Sequence, residues 1–288
     1  MYEGLEMGII RHCKKEFETL EMPRVPLLYG SPSDRSLTSP EEWINQLMKA
    51  DRLNVSNLPK RCILAFRYME VKDILDRLGC RVEEVDLSFE KAYIFEYRDS
   101  PFCLFQLDIG APMAGAELEL LLALGVEYVI LIGGVGVLNP EIPRWSIIVP
   151  NKAIRDEGTS YHYEKPAPYT FPSSNLSTQI KETLKKRRLH FFEGAVWTTD
   201  AIFRETSKKR RIFMKGGAIC VDMEAAALFS IAKFRGGELA AVFYAGDYVG
   251  EEKWDLRIEE NHEEKRRKAS QTLLEVSLEA LHNVQMER

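Results

Sequence analysis

Two acidic residues, Asp222 and Glu224, precede an apolar run in the segment VDMEAAALF. The pattern places them where a buried strand passes into a helix. The helix dipole alone stabilises an acidic residue in a first helical turn, which is sufficient to explain one of the two. Glu224 is followed by an apolar helix face, so its carboxylate requires hydrogen-bonding partners. The paired hydroxyl groups of a sugar are suitable partners for it.

A third carboxylate, Asp247, lies in the segment YAGDYVG at the end of a strongly apolar predicted strand. Such a carboxylate is partly desolvated, which suits a general acid. The alternative interpretation is an aspartate that forms a turn after Gly246.

Four polar or glycine-rich segments follow predicted strands, and ligands of α/β proteins bind beyond the carboxyl ends of strands. The segments are GGVG (133–136), NKAIRDEGTSYHY (151–163), TTDAIF (198–203) and GDYVG (246–250). Two prolines follow GGVG, so it cannot lead into the helix that a dinucleotide-binding glycine loop requires. We interpret GGVG as a close approach of the backbone to another group, or as a tight turn.

The elements that must position these segments alternate between strand and helix from Arg61 onward, which predicts an α/β fold with a largely parallel sheet. A strand pair is expected around a turn at 99–101. Residues 1–60 are rich in turns and are predicted to form an N-terminal extension that contains a helix at 41–50. The predicted strands are 61–66, 128–132, 146–150, 194–199, 217–221 and 239–245, and the predicted helices are 69–79, 114–124, 175–189, 223–234 and 256–284.

The composition excludes several classes of protein. The chain has 288 residues, of which 45% are hydrophobic, and this argues against global disorder. Its net charge of −5 argues against nucleic acid as the main partner. Five scattered cysteines without CxxC spacing predict free thiols in a reducing cytoplasm, and neither a disulfide framework nor a zinc site.

Two further segments bear on location. The N-terminal residues contain no apolar core of a signal peptide, so none is expected. The apolar run at 120–138 is interrupted by Gly125 and Glu127, which predicts a helix followed by a buried strand rather than a membrane span.

Three segments in this order and spacing resemble the nucleoside phosphorylase superfamily: IIVPNKAIRDEGTSYHY, GAICVDMEAAALF and the late GD at 246–247. That family includes uridine phosphorylases, purine nucleoside phosphorylases and methylthioadenosine nucleosidases. The resemblance implies a three-layer α/β/α catalytic domain over residues 61–288, with a central mixed, largely parallel sheet. It also implies a small nucleoside as ligand, no metal or organic cofactor, and a homo-oligomer, while the charge and the interrupted apolar run already argue against nucleic acid and membrane as partners.

The resemblance also implies roles for individual residues. Glu224 is expected to bind the 2′- and 3′-hydroxyls of ribose, with Met223 packed beneath the sugar. Phe203 and Thr199 fall beside the base. Asp247 falls where purine-specific members hold a carboxylate that protonates the leaving base, although uridine enzymes also carry an aspartate there. Cleavage of the N-glycosidic bond leaves a cationic sugar and an anionic base, and such an acid stabilises that charge separation.

The sequence departs from the family at the phosphate site. The family's phosphorylases place an arginine after the first strand, where this chain has Glu70, and a second arginine where it has Leu131. A small hydroxyl residue of the family corresponds to Gly134. Phosphate is a dianion that requires arginine, lysine or helix N-termini. Arg67 and Arg155 are the candidate substitutes.

Three functions therefore stay open. The first is phosphorolysis to free base and ribose 1-phosphate, with inorganic phosphate as co-substrate; it is the commonest activity of the family, and Arg67 and Arg155 favour it. The second is hydrolysis, with Glu70 as the base that activates water. The third is a non-catalytic nucleoside-binding protein, against which the intact Glu224 and Asp247 argue. His162 is either a site residue or a structural histidine.

Overall fold

A computed structural model of the chain describes residues 26–28 and 30–284. These residues form one mixed sheet whose strands are β1 (Arg61–Phe66), β2 (Glu83–Asp86), β3 (Lys91–Tyr97), β4 (Ser100–Leu107), β5 (Tyr128–Val137), β6 (Ile147–Asp156), β7 (Tyr169–Thr170), β8 (Phe191–Thr199), β9 (Ala218–Asp222), β10 (Glu238–Val249) and β11 (Trp254–Asp255). The helices are α1 (Pro40–Lys49), α2 (Val71–Arg77), α3 (Ala111–Ala123), α4 (Ser174–Lys186), α5 (Ser207–Lys215), α6 (Ala225–Arg235) and α7 (His262–His282). Short 3₁₀ helices cover Pro26–Leu28, Arg67–Met69, Thr159–His162 and Ile202–Arg204.

The sheet closes on itself on one side. Strand β5 pairs with β10, β10 with β6, β6 with β8, β8 with β9, and β9 returns to β5. Strands β1 to β4 extend from β5 as an open wing in the order β5-β1-β4-β3-β2. The longest ladders, β5–β10 and β6–β8, are parallel, so the predicted mixed, largely parallel sheet is confirmed. The closed ring of five strands was not predicted.

Helices cover both faces of the sheet, which confirms the predicted three layers. Helices α1, α3 and α6 share one apolar cluster with the sheet, and α2, α4 and α7 share the other. Gly115 of α3 lets α6 approach closely, because a Cβ at this position would lie only 2.7 Å from Ile231 Cδ1 of α6. Within residues 26–28 and 30–284, every helix is too short or too polar to cross a bilayer.

Strands β5, β6, β8 and β10 are longer than predicted. GGVG lies inside β5 rather than in a loop. The neighbouring rings leave no room for a side chain at Gly133 or Gly134. A Cβ on Gly133 would lie 2.9 Å from the Phe66 ring, and one on Gly134 would lie 2.6 Å from the Tyr244 ring. Strand β6 runs on to Asp156, so the first half of NKAIRDEGTSYHY is strand as well. The glycines thus serve close packing across strands.

Helix α1 lies where a helix was predicted within the N-terminal extension. Ser39 caps it by accepting a hydrogen bond from the Glu42 N–H at 3.1 Å. Ile44 and Leu58 join the apolar cluster that contains α3, and Leu58 N donates to Leu124 O at 2.7 Å. These residues are therefore part of the outer helix layer.

Some predictions lie outside the described residues, including any structure of residues 1–25 and the state of Cys13. The four cysteines within the described part are free thiols, as predicted: Cys62, Cys80, Cys103 and Cys220.

Candidate active site

A cavity of about 570 Å³ lies beyond the carboxyl ends of β1, β5, β9 and β10. Five residues that the sequence analysis predicted for the site line it: Gly134, Phe203, Met223, Glu224 and Asp247. This position agrees with the general rule for ligand binding in α/β sheets.

Glu224 is the N-cap residue of α6 and lines the cavity. Only 5% of the residue is exposed. The carboxylate accepts hydrogen bonds from Gly110 N at 2.6 Å and from Met223 N at 3.3 Å. Burial, and next the neighbouring Asp222, raise the pKa of Glu224 to about 8. Glu224 is therefore a buried, oriented hydrogen-bonding group of the kind that ribose hydroxyls require.

Asp222 stabilises the N-terminus of the same helix, α6. Its carboxylate accepts hydrogen bonds from Ala225 N and from Thr198 Oγ1, both at 2.7 Å. Burial raises the pKa of Asp222 to about 6. Of the two acidic residues in VDMEAAALF, Asp222 caps the helix and Glu224 is the one left for a ligand.

The cavity lining carries a second pair of carboxyl groups. Asp247 lies within β10 rather than in a turn, and its Oδ2 accepts a hydrogen bond from Trp254 Nε1 at 2.5 Å. Glu205, just before α5, lines the same cavity. Burial, and next the neighbouring Asp247, raise the pKa of Glu205 to about 7. The sequence analysis did not find Glu205, because an acidic residue before a helix cap is a common solvent-exposed pattern.

The residues predicted beside the base fall in two different places. Phe203 lies at the mouth of the cavity and is 93% exposed. Thr199 is buried and does not line the cavity; its Oγ1 accepts a hydrogen bond from Ala201 N at 3.3 Å. Thr199 thus shapes the turn that leads to Phe203.

Aromatic side chains fill the wall beside Gly134. Gly134 N donates a hydrogen bond of 3.0 Å to Tyr68 Oη, and the Tyr68 ring stacks on Phe66 with centroids 5.8 Å apart. Burial raises the pKa of Tyr68 and of Tyr244, so both phenols are neutral. This part of the wall offers neutral groups only.

The structure does not bring the predicted phosphate or water residues together. Arg67 forms ion pairs with Glu90 and with Asp108, outside the cavity lining. Glu70 is exposed at the start of α2, in the left-handed conformation, and does not line the cavity either. Of that predicted set, the cavity receives Gly134 alone.

Arg155 is buried and anchors its own loop. Its guanidinium donates to Ser160 Oγ at 2.8 Å, to Lys165 O at 2.8 Å and to Glu164 O at 3.0 Å. His162 is exposed on the same loop and does not line the cavity. The loop that follows β6 is therefore stabilised by hydrogen bonds between Arg155 and residues of the same loop.

The segment that contains Asp156 holds the connection from β8 to α5. Asp156 Oδ2 accepts hydrogen bonds from Trp197 Nε1 at 2.9 Å and from Lys209 Nζ at 2.7 Å. Gly158 N donates to Asp200 Oδ2 at 2.8 Å. These contacts position the chain that carries Phe203 and Glu205.

The basic run KKRR at 208–211 lies on α5, and one of its four residues is buried. Arg210 is buried beside the cavity, and its guanidinium donates to Val249 O at 2.8 Å and to Leu138 O at 2.5 Å. Two buried backbone carbonyls, which no charge pattern reveals, determine its position.

Comparison with known proteins shows which family this chain resembles. Residues 60–282 match the sequence profile of a family described as the phosphorylase superfamily, which confirms the resemblance seen in the motifs. A purine nucleoside phosphorylase of the DeoD type from Mycoplasma genitalium is 28% identical over 148 residues, covering 49% of this chain. The chain spans 61% of the length of that curated relative.

Two solved structures share the fold. A uridine phosphorylase from Vibrio fischeri superposes with a TM-score of 0.69 at 22% identity, over 79% of this chain and 93% of that one. A 5′-methylthioadenosine/S-adenosylhomocysteine nucleosidase from Campylobacter jejuni superposes with a TM-score of 0.67 at 16% identity, over 78% of this chain and 100% of that one.

Proposed function

This chain belongs to the phosphorylase superfamily, and we propose that its cavity cleaves the N-glycosidic bond of a ribonucleoside with water as the nucleophile. Glu224 holds the ribose hydroxyls and Met223 packs beneath the sugar. Phe203 lies beside the base at the mouth. A carboxyl group on the wall of Asp247 protonates the leaving base.

The acidity of the cavity supports water rather than phosphate. Six acidic residues line it: Glu205, Asp222, Glu224, Asp247, Glu251 and Glu252. Among the described residues, its lining contributes two cationic side chains, Arg210 and Lys253, and the first donates to backbone carbonyls. A phosphate dianion would be repelled by those of these carboxyl groups that are ionised, whereas water carries no charge to repel.

The Tyr68 phenol supports the same choice. A backbone N–H that faces a cavity is a natural donor to an oxyanion. Here the Gly134 N–H already donates to Tyr68 Oη. An incoming phosphate would have to displace a neutral phenol and meet carboxylates beyond it.

The same charges suit the reaction itself. As the C1′–N bond breaks, its electron pair leaves with the base and positive charge develops on the ribose. Nearby carboxylates stabilise that charge, as they do in other glycoside-cleaving sites. The base takes a proton from the wall, and the water that bonds to C1′ releases one.

Phosphorolysis is the second candidate, and the names of the relatives favour it. The curated relative from Mycoplasma genitalium is named a purine nucleoside phosphorylase. Phosphorolysis by this chain would require cations from elsewhere, such as a second copy. We infer a homo-oligomer from the family and from the exposed apolar side chains at the mouth, Ile109 and Phe203. Light scattering of the purified protein checks that inference.

A product assay tests the proposal. The purified protein is incubated with adenosine, guanosine, inosine and uridine, with and without inorganic phosphate, and bases and sugars are separated by chromatography. We expect free base and free ribose at a rate that phosphate does not change. Ribose 1-phosphate formed only with phosphate would replace hydrolysis by phosphorolysis. Nucleoside binding by calorimetry without base release would make the chain a binding protein.

A further inference from the structure

Glu205 is a half-buried carboxyl group that the proposed function has not yet used. It lines the cavity just before α5, and the described residues place no hydrogen-bond donor on its carboxylate. A half-buried carboxylate without a donor is poorly solvated, and its neutral form is favoured. Glu205 is therefore suited to hold a proton at neutral pH.

Asp247 differs from Glu205 although the two share one wall. Its Oδ2 accepts a hydrogen bond of 2.5 Å from Trp254 Nε1, and a Cβ on Gly136 would lie 3.4 Å from the same oxygen. Asp247 lies close enough to Glu205 to disfavour its ionisation, and Glu205 has no such donor of its own among the described residues. Two carboxyl groups in unequal hydrogen-bonding environments can serve different roles.

The other charged groups around the cavity act in the same direction. They are Asp222 and Glu224 at the β9–α6 junction, Arg210 on α5, and Glu251, Glu252 and Lys253 between β10 and β11. Carboxylates outnumber cations in this set, and Arg210 is bound to two backbone carbonyls. The charge of the cavity therefore also disfavours a negative Glu205.

We propose that Glu205 is the catalytic acid that protonates the leaving base, with Asp247 as the neighbouring carboxyl group that the Trp254 indole holds in place. The role rests on the proposed bond cleavage but holds for water or phosphate alike. As the C1′–N bond breaks, its electron pair passes to the base, and the Glu205 proton moves to a base nitrogen. The nucleophile bonds to C1′, and the proton that water releases restores the Glu205 carboxyl.

A substrate that needs no acid tests this role. The leaving group of 4-nitrophenyl β-D-ribofuranoside departs as a stable anion, whereas a nucleoside base requires protonation. We expect Glu205→Gln to lower kcat/KM by about 10²-fold for the nucleoside, the usual range for loss of a general acid, and by less than about threefold for the nitrophenyl riboside. Glu182→Gln, the same carboxyl-to-amide change on the exposed face of α4, should leave the ratio between the two substrates unchanged.

The pH profile gives a second readout. The pKa of Glu205 is about 7, raised first by burial and next by Asp247. The wild type should lose nucleoside kcat/KM as the pH rises above about 7, and Glu205→Gln should lack that limb. Equal losses on both substrates, or an unchanged limb in the variant, would assign Glu205 a structural role instead. A wild type that cleaves neither substrate would overturn the proposed function together with this role.

Discussion

The carboxylate of Glu224 accepts a hydrogen bond of 2.6 Å from the backbone N–H of Gly110. Gly110 lies between β4 and α3 with φ +106°, a conformation that L side chains rarely adopt. This bond joins the loop after β4 to the start of α6 across the cavity wall. The orientation of the proposed ribose ligand thus depends on one glycine that is 114 residues away in sequence.

Glu224→Gln tests the ribose contact. The amide keeps the size of the side chain but turns one acceptor oxygen into a donor, which conflicts with the Gly110 N–H. We expect kcat/KM for a ribonucleoside to fall about 10²-fold, and less for its 2′-deoxy analogue, since the hydroxyl contact is the interaction that is lost. Glu182→Gln on the exposed face of α4 is the charge control. Equal losses on both sugars would contradict the assignment.

Gly110→Ala tests the bond from the other side. A Cβ at this position has nothing within 4 Å, so only the backbone conformation is disturbed. We expect unfolding free energy to fall by about 1 kcal/mol and kcat/KM to fall with it, as the N–H moves away from Glu224. Gly79→Ala is the matched control, because Gly79 has φ +77°, equally open space and no contact with the cavity. Equal activity in the two variants would show that the Gly110 bond is dispensable.

Tyr68→Phe tests what occupies the Gly134 N–H. The ring keeps its stacking on Phe66, but the Gly134 donor loses its partner. We expect a loss of about 1 kcal/mol in unfolding free energy. Inorganic phosphate should still not raise the melting temperature of either the variant or the wild type, because the acidic residues of the cavity remain. Tyr93→Phe on β3 is the control, and phosphate stabilisation of the wild type would contradict the prediction.

Local sequence patterns were sufficient to predict the three layers of this fold. The apolar strands β1, β5 and β10 and the helices α3 and α6 could be predicted, because burial imposes periodicity on neighbouring residues. The closed ring could not be predicted, because the β9–β5 and β10–β6 pairings involve two residue pairs each. Such short ladders between distant segments produce no recognisable pattern in the sequence of either segment.

The motifs were sufficient to place Glu224 and Asp247 at the cavity. Prediction failed where the partner of a side chain is a backbone group. Arg155 and Arg210 look like candidates for anion binding or for solvent, yet both donate to backbone carbonyls. Glu205 enters the cavity wall only because the segment after β10 folds beside it.

Arg155→Ala should destabilise the fold rather than alter phosphate dependence. The substitution removes a buried guanidinium that donates to the buried Ser160 Oγ and to two loop carbonyls, so we expect a loss of about 3 kcal/mol in unfolding free energy. Arg67→Ala removes exposed ion pairs, so its loss should be less than about 1 kcal/mol. Urea denaturation measures both. A larger loss in Arg67→Ala, or a change in phosphate dependence in either variant, would contradict this assignment.

The buried carboxyl of Glu117 should make stability fall as the pH rises. Only 4% of the residue is exposed, and Asp108 N donates to it at 3.1 Å. Burial raises the pKa of Glu117 from 4.5 to about 7. Between these values the folded chain binds more protons than the unfolded chain, so unfolding free energy decreases with pH.

Glu117→Gln removes this titration while keeping the shape of the side chain. Relative to the wild type, the variant should gain on the order of 2 kcal/mol of unfolding free energy between pH 5 and pH 8. Urea denaturation at both pH values measures the difference, and Glu182→Gln on the exposed face of α4 controls for loss of charge. Parallel pH profiles for Glu117→Gln and the wild type would mean that Glu117 is already ionised in the folded protein at pH 5.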